Sequence, residues 1–178
     1  MSMSYHAKQL FNDPEIKAAI DHIVARVKEL QAPLTETSAA HPDLANDFAL
    51  LTKQMAQYKG GLYYPYLSSG IGKGAYVECA DGSVKLDFIS GIGVHWSHSD
   101  PDIIKESLWA AVHDTVMQGN LQQHAGSVEL YKLLVESSGL DYAFITSSGV
   151  MGVENALKLS FHYKQSASRV LAFSKCFC

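Results

Sequence analysis

The sequence predicts an α/β protein in which amphipathic helices lead into a β-hairpin, followed by helices alternating with strands of a parallel sheet. Three observations predict it. Ile16, Ala19, Ile20, Ile23, Val24, Val27 and Leu30 recur at helical spacing, with Lys17, Asp21 and Lys28 opposite. Val84, Leu86 and Phe88 alternate with Lys85 and Asp87 just after Asp81-Gly82, the pattern of a half-buried hairpin strand. Lastly, the β-rich run Tyr142–Thr146, a glycine-bearing turn, a helix-period run and the apolar run Arg169–Phe173 read as one right-handed βαβ unit.

The chain has 178 residues, enough for about one domain, and is 47% hydrophobic and 18% charged. A net charge of −4 without blocks of like charge gives no footprint for nucleic acid or an anionic membrane. Three cysteines, Cys79, Cys176 and Cys178, are too few for a disulfide framework and point to a reducing, cytoplasmic setting. Cys176-Phe-Cys178 lacks zinc-site spacing. The N-terminus has no signal-peptide core, and no apolar run approaches transmembrane length.

In chain order, Asn12-Asp13-Pro14 starts the first helix and Pro33 ends it. Thr35 to His41 reads as a loop. Pro42 opens a second helix, with Leu44, Phe48, Leu51, Met55 and Tyr58 on one face, and Gly60-Gly61 stops it. Leu62–Leu67 is aromatic and extended, and Pro65 argues against a central strand. Gly70-Ile-Gly-Lys-Gly74 has the wrong spacing for a dinucleotide or Walker loop, so Lys73 is expected in solvent. Ala75 to Ile89 forms the hairpin. Ser90-Gly-Ile-Gly-Val94 follows as a tight irregular path, with His95 and His98 expected to be structural or hydrogen-bonding rather than metal ligands. Asp100-Pro101 caps a helix running toward Gly119, and another runs from about Ser127 to Gly139.

Thr146-Ser-Ser-Gly-Val-Met-Gly-Val-Glu-Asn-Ala-Leu-Lys158 carries the chemistry. A strand, a glycine turn and a helix whose Val153, Leu157, Phe161 and Lys164 share a face aim free backbone N–H groups at an anion. The helix dipole favours a negative charge there by about 0.3–1 kcal/mol. By itself this stretch is read more readily as an ordinary βα turn with a serine N-cap.

The order of motifs alters that weighing. Gly72-Lys-Gly-Ala-Tyr-Val with Asp81-Gly82 and Leu86-Asp-Phe88, then Ser90-Gly-Ile-Gly-Val with His98 and Pro101, then Ser148-Gly-Val-Met-Gly-Val-Glu-Asn-Ala-Leu-Lys158, then Val170-Leu-Ala-Phe with Phe177, stand in a recognisable sequence. Together they resemble the class III aminotransferases, pyridoxal-phosphate (PLP) enzymes of fold type I that include acetylornithine and 4-aminobutyrate aminotransferases. The resemblance covers about Tyr63 to Cys178 and does not need the N-terminal helices.

The resemblance implies roles. Ser148 with the backbone N–H groups of Gly149 and Val150 would bind the cofactor phosphate, and Phe177 would stack on its ring. Tyr64 and the loop residues Gly91, Ile92, Gly93 and Val94 would border the substrate pocket, across the interface of a homodimer. The substrates would be an amino acid and a 2-oxo acid. Three segments are implied: 1–61 as a helical extension, 62–98 as the hairpin and loop segment, and 99–178 as the first part of the PLP-binding large domain. Met151, Gly152 and Val153 depart from the family's Glu, Ala and Asn, and Cys178 stands at the histidine of its F-H-G motif. The family's Schiff-base lysine, the acid on the pyridine nitrogen and the carboxylate-binding arginine come later than residue 178. Lys158 and Lys175 lack the context of that lysine, so no residue of this chain is expected to be catalytic. The chain is therefore expected to be the N-terminal, truncated part of such an enzyme, inactive alone. The alternatives are a non-catalytic dimerisation partner, or a small α/β protein taking another phosphorylated ligand at Ser148-Gly149.

Overall fold

In a computed structural model of the chain, residues 5–114, 124–165 and 169–174 are described. The chain divides into two compact units, Met1–Asp114 and Thr115–Cys178.

The first unit opens with α1 (Tyr5–Asn12) and α2 (Pro14–Gln31). Asp13 caps α2: its Oδ1 accepts from the N–H groups of Glu15 and Ile16, both at 2.9 Å, and Pro14 takes the position where no donor is needed. A 3-10 turn (Pro42–Leu44) leads into α3 (Ala45–Lys59), which ends where Gly60 turns left-handed. Then come β1 (Ser68–Lys73), β2 (Tyr76–Cys79) and β3 (Val84–Leu86), the one-turn α4 (Ser90–Gly93) and α5 (Pro101–Ala111). Asp100 caps α5 through Asp102 and Ile103, as Asp13 caps α2.

The sheet has three antiparallel strands in the order β1-β2-β3, with Tyr76 opposite Leu86 and Lys73 opposite Tyr76. The hairpin falls where the alternation placed it. Its turn differs from the two-residue form that Asp81-Gly82 favours. Gly82 has positive φ and Asp81 does not, and Cys79 N–H donates to the Ser83 carbonyl at 2.8 Å, so the loop has three residues. A close approach also requires glycine here, since a Cβ on Gly82 would lie 2.9 Å from His41 Cβ. The run Gly70–Gly74, excluded above as a nucleotide loop, supplies most of β1. Lys73 Nζ donates to the Ala32 carbonyl at 3.4 Å in an exposed hydrogen bond at the C-terminal end of α2.

The N-terminal helices are sewn onto this hairpin. Ser38 bridges Val84 on the free edge of β3, His41 N–H donates to the Asp81 carbonyl, and Lys105 on α5 pairs with Asp21 on α2 at 2.6 Å. Among the described residues, Ile20, Leu34, Cys79 and Val84 are the buried apolar side chains.

The second unit contains α6 (Ser127–Ser138) and α7 (Gly149–Lys164). Gly139 closes α6 in the left-handed conformation, as the sequence predicts. The expected parallel βαβ unit is not formed. Tyr142–Thr146 and the described part of Arg169–Phe173 carry no strand pairing, and the described sheet is wholly antiparallel. Parallel strands are stable when paired on both sides and covered on both faces, and two alone provide too little of either. Leu171 and Phe173 accordingly lie open to solvent, and no described residue of this unit is buried. The expected extension of α5 toward Gly119 falls partly outside the described residues, as do Lys175, Cys176, Phe177 and Cys178.

Candidate anion site and loop

Ser148 is extended (φ −155°, ψ 156°) and caps α7: its Oγ accepts from Met151 N–H at 3.2 Å. Thr146 Oγ1 donates to the Ser148 carbonyl at 2.9 Å and Gly152 N–H donates to the same oxygen at 3.1 Å. Met151 and Gly152 N–H are thereby engaged. Gly149 and Val150 N–H have no partner among the described residues and are the open donors at the positive end of the helix dipole. An ideal Cβ on Gly149 would meet nothing within 4 Å, so the approach to those donors is clear. Two main-chain donors, a serine hydroxyl and an unobstructed glycine are the donor set a phosphate monoester needs. The residues present therefore fit the phosphate of PLP.

Of the family departures, Gly152 is spatially neutral, since a Cβ there would make only ordinary contact with Thr146 Oγ1 at 3.5 Å. Met151 accepts a contact from Ser147 Oγ at 3.1 Å. Lys158 Nζ is held by Glu154 at 2.6 Å on the helix surface, and its residue lies about 14 Å along the axis from Gly149. Phe177 lies outside the described residues.

The other expected site residues belong to the first unit. Tyr64 is exposed, its ring edge-on to Tyr63 at 5.5 Å. Tyr66 packs on the hairpin, under Lys85 Nζ at 5.5 Å. Ser90, Gly91, Ile92 and Gly93 all have positive φ (49°, 58°, 63° and 81°), so α4 is a left-handed turn. For non-glycine residues that hand costs about 1–2 kcal/mol each, and Ile92 is β-branched. The turn closes on itself: Ile92 and Gly93 N–H donate to the Ile89 carbonyl, His95 N–H to that of Ser90.

Asp87 and His98 sit at the two ends of this excursion. His98 Nε2 lies 2.8 Å from Asp87 Oδ2, while Asp87 Oδ1 accepts from Ile89 and Ser90 N–H at 2.7 and 3.0 Å. The Ser90 and Ile89 amides, then His98, hold the Asp87 carboxyl below the usual aspartate range. The rings of His95 and His98 are stacked at 6.3 Å, and His98 makes the hydrogen bond to Asp87. Among the described residues no group of three or more His, Cys, Asp or Glu could hold a metal ion.

Sequence reasoning missed Gln31. It ends α2, is buried, and donates from Nε2 to the carbonyls of Gly72 (2.9 Å) and Ser99 (3.0 Å). A glutamine at the end of an apolar stripe carries no signal that it will be enclosed.

The family model for Aminotransferase class-III matches residues 65–178, and the chain belongs to that family. It is 37% identical over 93 residues to an acetylornithine aminotransferase of Methanocaldococcus jannaschii, covering 52% of this chain and 23% of that protein. The acetylornithine aminotransferase of Haemophilus ducreyi is 39% identical over 95 residues (52% and 23%), and that of Bacillus anthracis 37% over 90 residues (50% and 23%). The chain thus spans under a quarter of the length of these relatives. No solved structure matches it. Among the described residues no helix is long and apolar enough to cross a membrane.

Proposed function

We propose that this chain supplies the phosphate-binding loop and part of the substrate border of a PLP-dependent aminotransferase of fold type I, which moves an amino group between an amino acid and a 2-oxo acid. One observation carries the reading: within the segment matched by the family, the first turn of α7 leaves Gly149 and Val150 N–H open beside the Ser148 hydroxyl. PLP, when bound, supplies the electron sink that amino-group transfer requires. Gly149 and Val150 donate their N–H groups to its phosphate, Ser148 adds a hydroxyl donor, and the α7 dipole favours the dianion. By family resemblance Phe177 would stack on the ring. Tyr64 and Gly91–Val94 border the substrate, in a homodimer.

Lys158 pairs with Glu154 on the exposed surface of α7, which does not mark it as the family's Schiff-base lysine. The role proposed for Ser148, Gly149 and Val150 is binding and orientation; the covalent step additionally needs an amine held at the cofactor. Acetylornithine, from the name of the relatives, is the first amino donor to try.

The test is a PLP titration of the chain followed by absorbance, with inorganic phosphate and a nucleoside monophosphate as competitors. Saturable PLP binding displaced by phosphate, and lost in Gly149→Val, supports the reading. A nucleotide that binds where PLP does not would replace it with a different phosphorylated ligand.

A further inference from the structure

We propose that Asp87 and His98 are positioning residues, a carboxylate–imidazole clasp that fixes the left-handed turn Ser90–Gly93 and so sets the substrate border. The inference rests on the reading of Gly91–Val94 as that border and names what shapes it.

A turn that places a serine and a β-branched isoleucine at positive φ persists only where its surroundings over-determine it. The contacts that do so form a closed circuit. Asp87 Oδ1 accepts from the N–H groups of Ile89 and Ser90, which starts the turn. Asp87 Oδ2 binds His98 Nε2 at 2.8 Å, which ties the start of the excursion to its end. His98 is itself fixed, since its N–H donates to the Gly74 carbonyl at 2.9 Å and its Cβ lies where a Cβ on Gly72 would fall, 2.5 Å away. His95 stacks beside His98, and its Cδ2 would be 2.3 Å from a Cβ on Gly91, so the turn is also pinned from within.

The pair is partly buried, with side chains 17% and 27% exposed, so water competes poorly for the bond. Held this way, the turn sends Ile92 and Val94 outward, where both are largely exposed. Those side chains, together with the carbonyls the turn does not use, are the surface offered to a substrate.

Amide hydrogen exchange on the whole chain tests the clasp, comparing wild type with His98→Phe and His98→Gln. Phenylalanine keeps the bulk and removes the donor, and glutamine restores an N–H donor. In His98→Phe the amides of Ile89, Ser90 and Ile92–His95 should exchange at least about tenfold faster. In His98→Gln they should stay near wild type, and the β2 amides should be unchanged in both. Unchanged exchange in His98→Phe, equal acceleration in His98→Gln, or acceleration that spreads through β2 would each overturn the proposal. Inorganic phosphate titration of the wild type reads the Ser148–Gly149 site separately. Failure there with a confirmed clasp would sink the cofactor reading alone.

Discussion

Gln31 Nε2 donates to the Gly72 carbonyl at 2.9 Å, so the last residue of the N-terminal helix α2 closes onto a glycine of the family-matched hairpin. The same nitrogen reaches the Ser99 carbonyl at 3.0 Å, and Ser99 Oγ accepts from Gly72 N–H at 3.3 Å. One buried amide therefore joins three parts of the chain: α2, β1 and the end of the loop that carries His98. Helix α2, which the family resemblance does not require, is thus a structural part of the unit that carries the Ser90–Gly93 turn.

The first prediction concerns that amide. Gln31→Leu would keep most of the volume and leave two carbonyls without their donor, so it should destabilise the first unit by roughly 2–4 kcal/mol. Gln31→Glu should be no better, because it sets a carboxylate against two acceptors. Urea unfolding followed by circular dichroism measures both, and a loss below about 0.5 kcal/mol in the leucine variant would show that solvent replaces the amide.

Gly72 should tolerate no side chain. A Cβ there would fall 2.5 Å from His98 Cβ and 2.7 Å from the Tyr76 carbonyl oxygen, and the latter is backbone that cannot swing aside. Gly72→Ala should cost about 1–3 kcal/mol and loosen the His98 end of the loop. Gly149→Ala, with open space around its Cβ, should leave stability nearly unchanged. Equal melting temperatures for these two variants would contradict the packing described here.

For cofactor binding, the contrast is between Gly149→Val and Lys73→Ala. Because Gly149 sits in open space at ordinary φ, valine should fold normally and act only by crowding the open donors. Loss of one charge-assisted bond there corresponds to roughly 1.5–3 kcal/mol of binding. Lys73, engaged at the end of α2, should not matter to PLP affinity. Titration of both variants against PLP decides, and equal affinities would place the anion elsewhere.

Acid should loosen the first unit through Asp81 and Asp87. Both carboxyls are held below their ordinary range, Asp81 first by the Ser83 hydroxyl and amide and Asp87 first by the Ser90 and Ile89 amides. A group with a depressed folded pKa contributes stability that is fully present above the unfolded value, about 3.9 for aspartate. That contribution is lost as pH falls through the lower folded value. Stability should thus decline below about pH 4, and Asp87→Asn should flatten part of that decline. A stability profile that is the same for wild type and Asp87→Asn below pH 4 would remove Asp87 from the account.

The second unit should behave as a loosely packed one. Leu133, Leu159, Leu171 and Phe173 are all well exposed, and no described residue there is buried. Apolar area left in water in this amount favours association or a fluctuating state. Calorimetry and dye binding on the chain alone should show an incomplete transition and bound dye, whereas one sharp transition from a monomer would show that these faces are already satisfied.

The sequence by itself determined the local elements. Asp13-Pro14, Asp100-Pro101, Ser148 and the glycines at 60 and 139 act on their own neighbours through caps and left-handed stops, so their effects are legible from a few residues. The hairpin is legible for the same reason, because alternation and a turn dipeptide are short-range signals. The family, too, could be read from motif order. Tertiary structure alone decided the rest. Residues 41 and 68 positions apart meet at Gln31, and Asp87 meets His98 across a left-handed turn. No periodicity encodes these contacts, since they depend on how helices and strands pack after they form. The parallel pairing expected of Tyr142–Thr146 and Arg169–Phe173 fails on the same ground: a strand's propensity is local, but its stability comes from neighbours on both edges and cover on both faces.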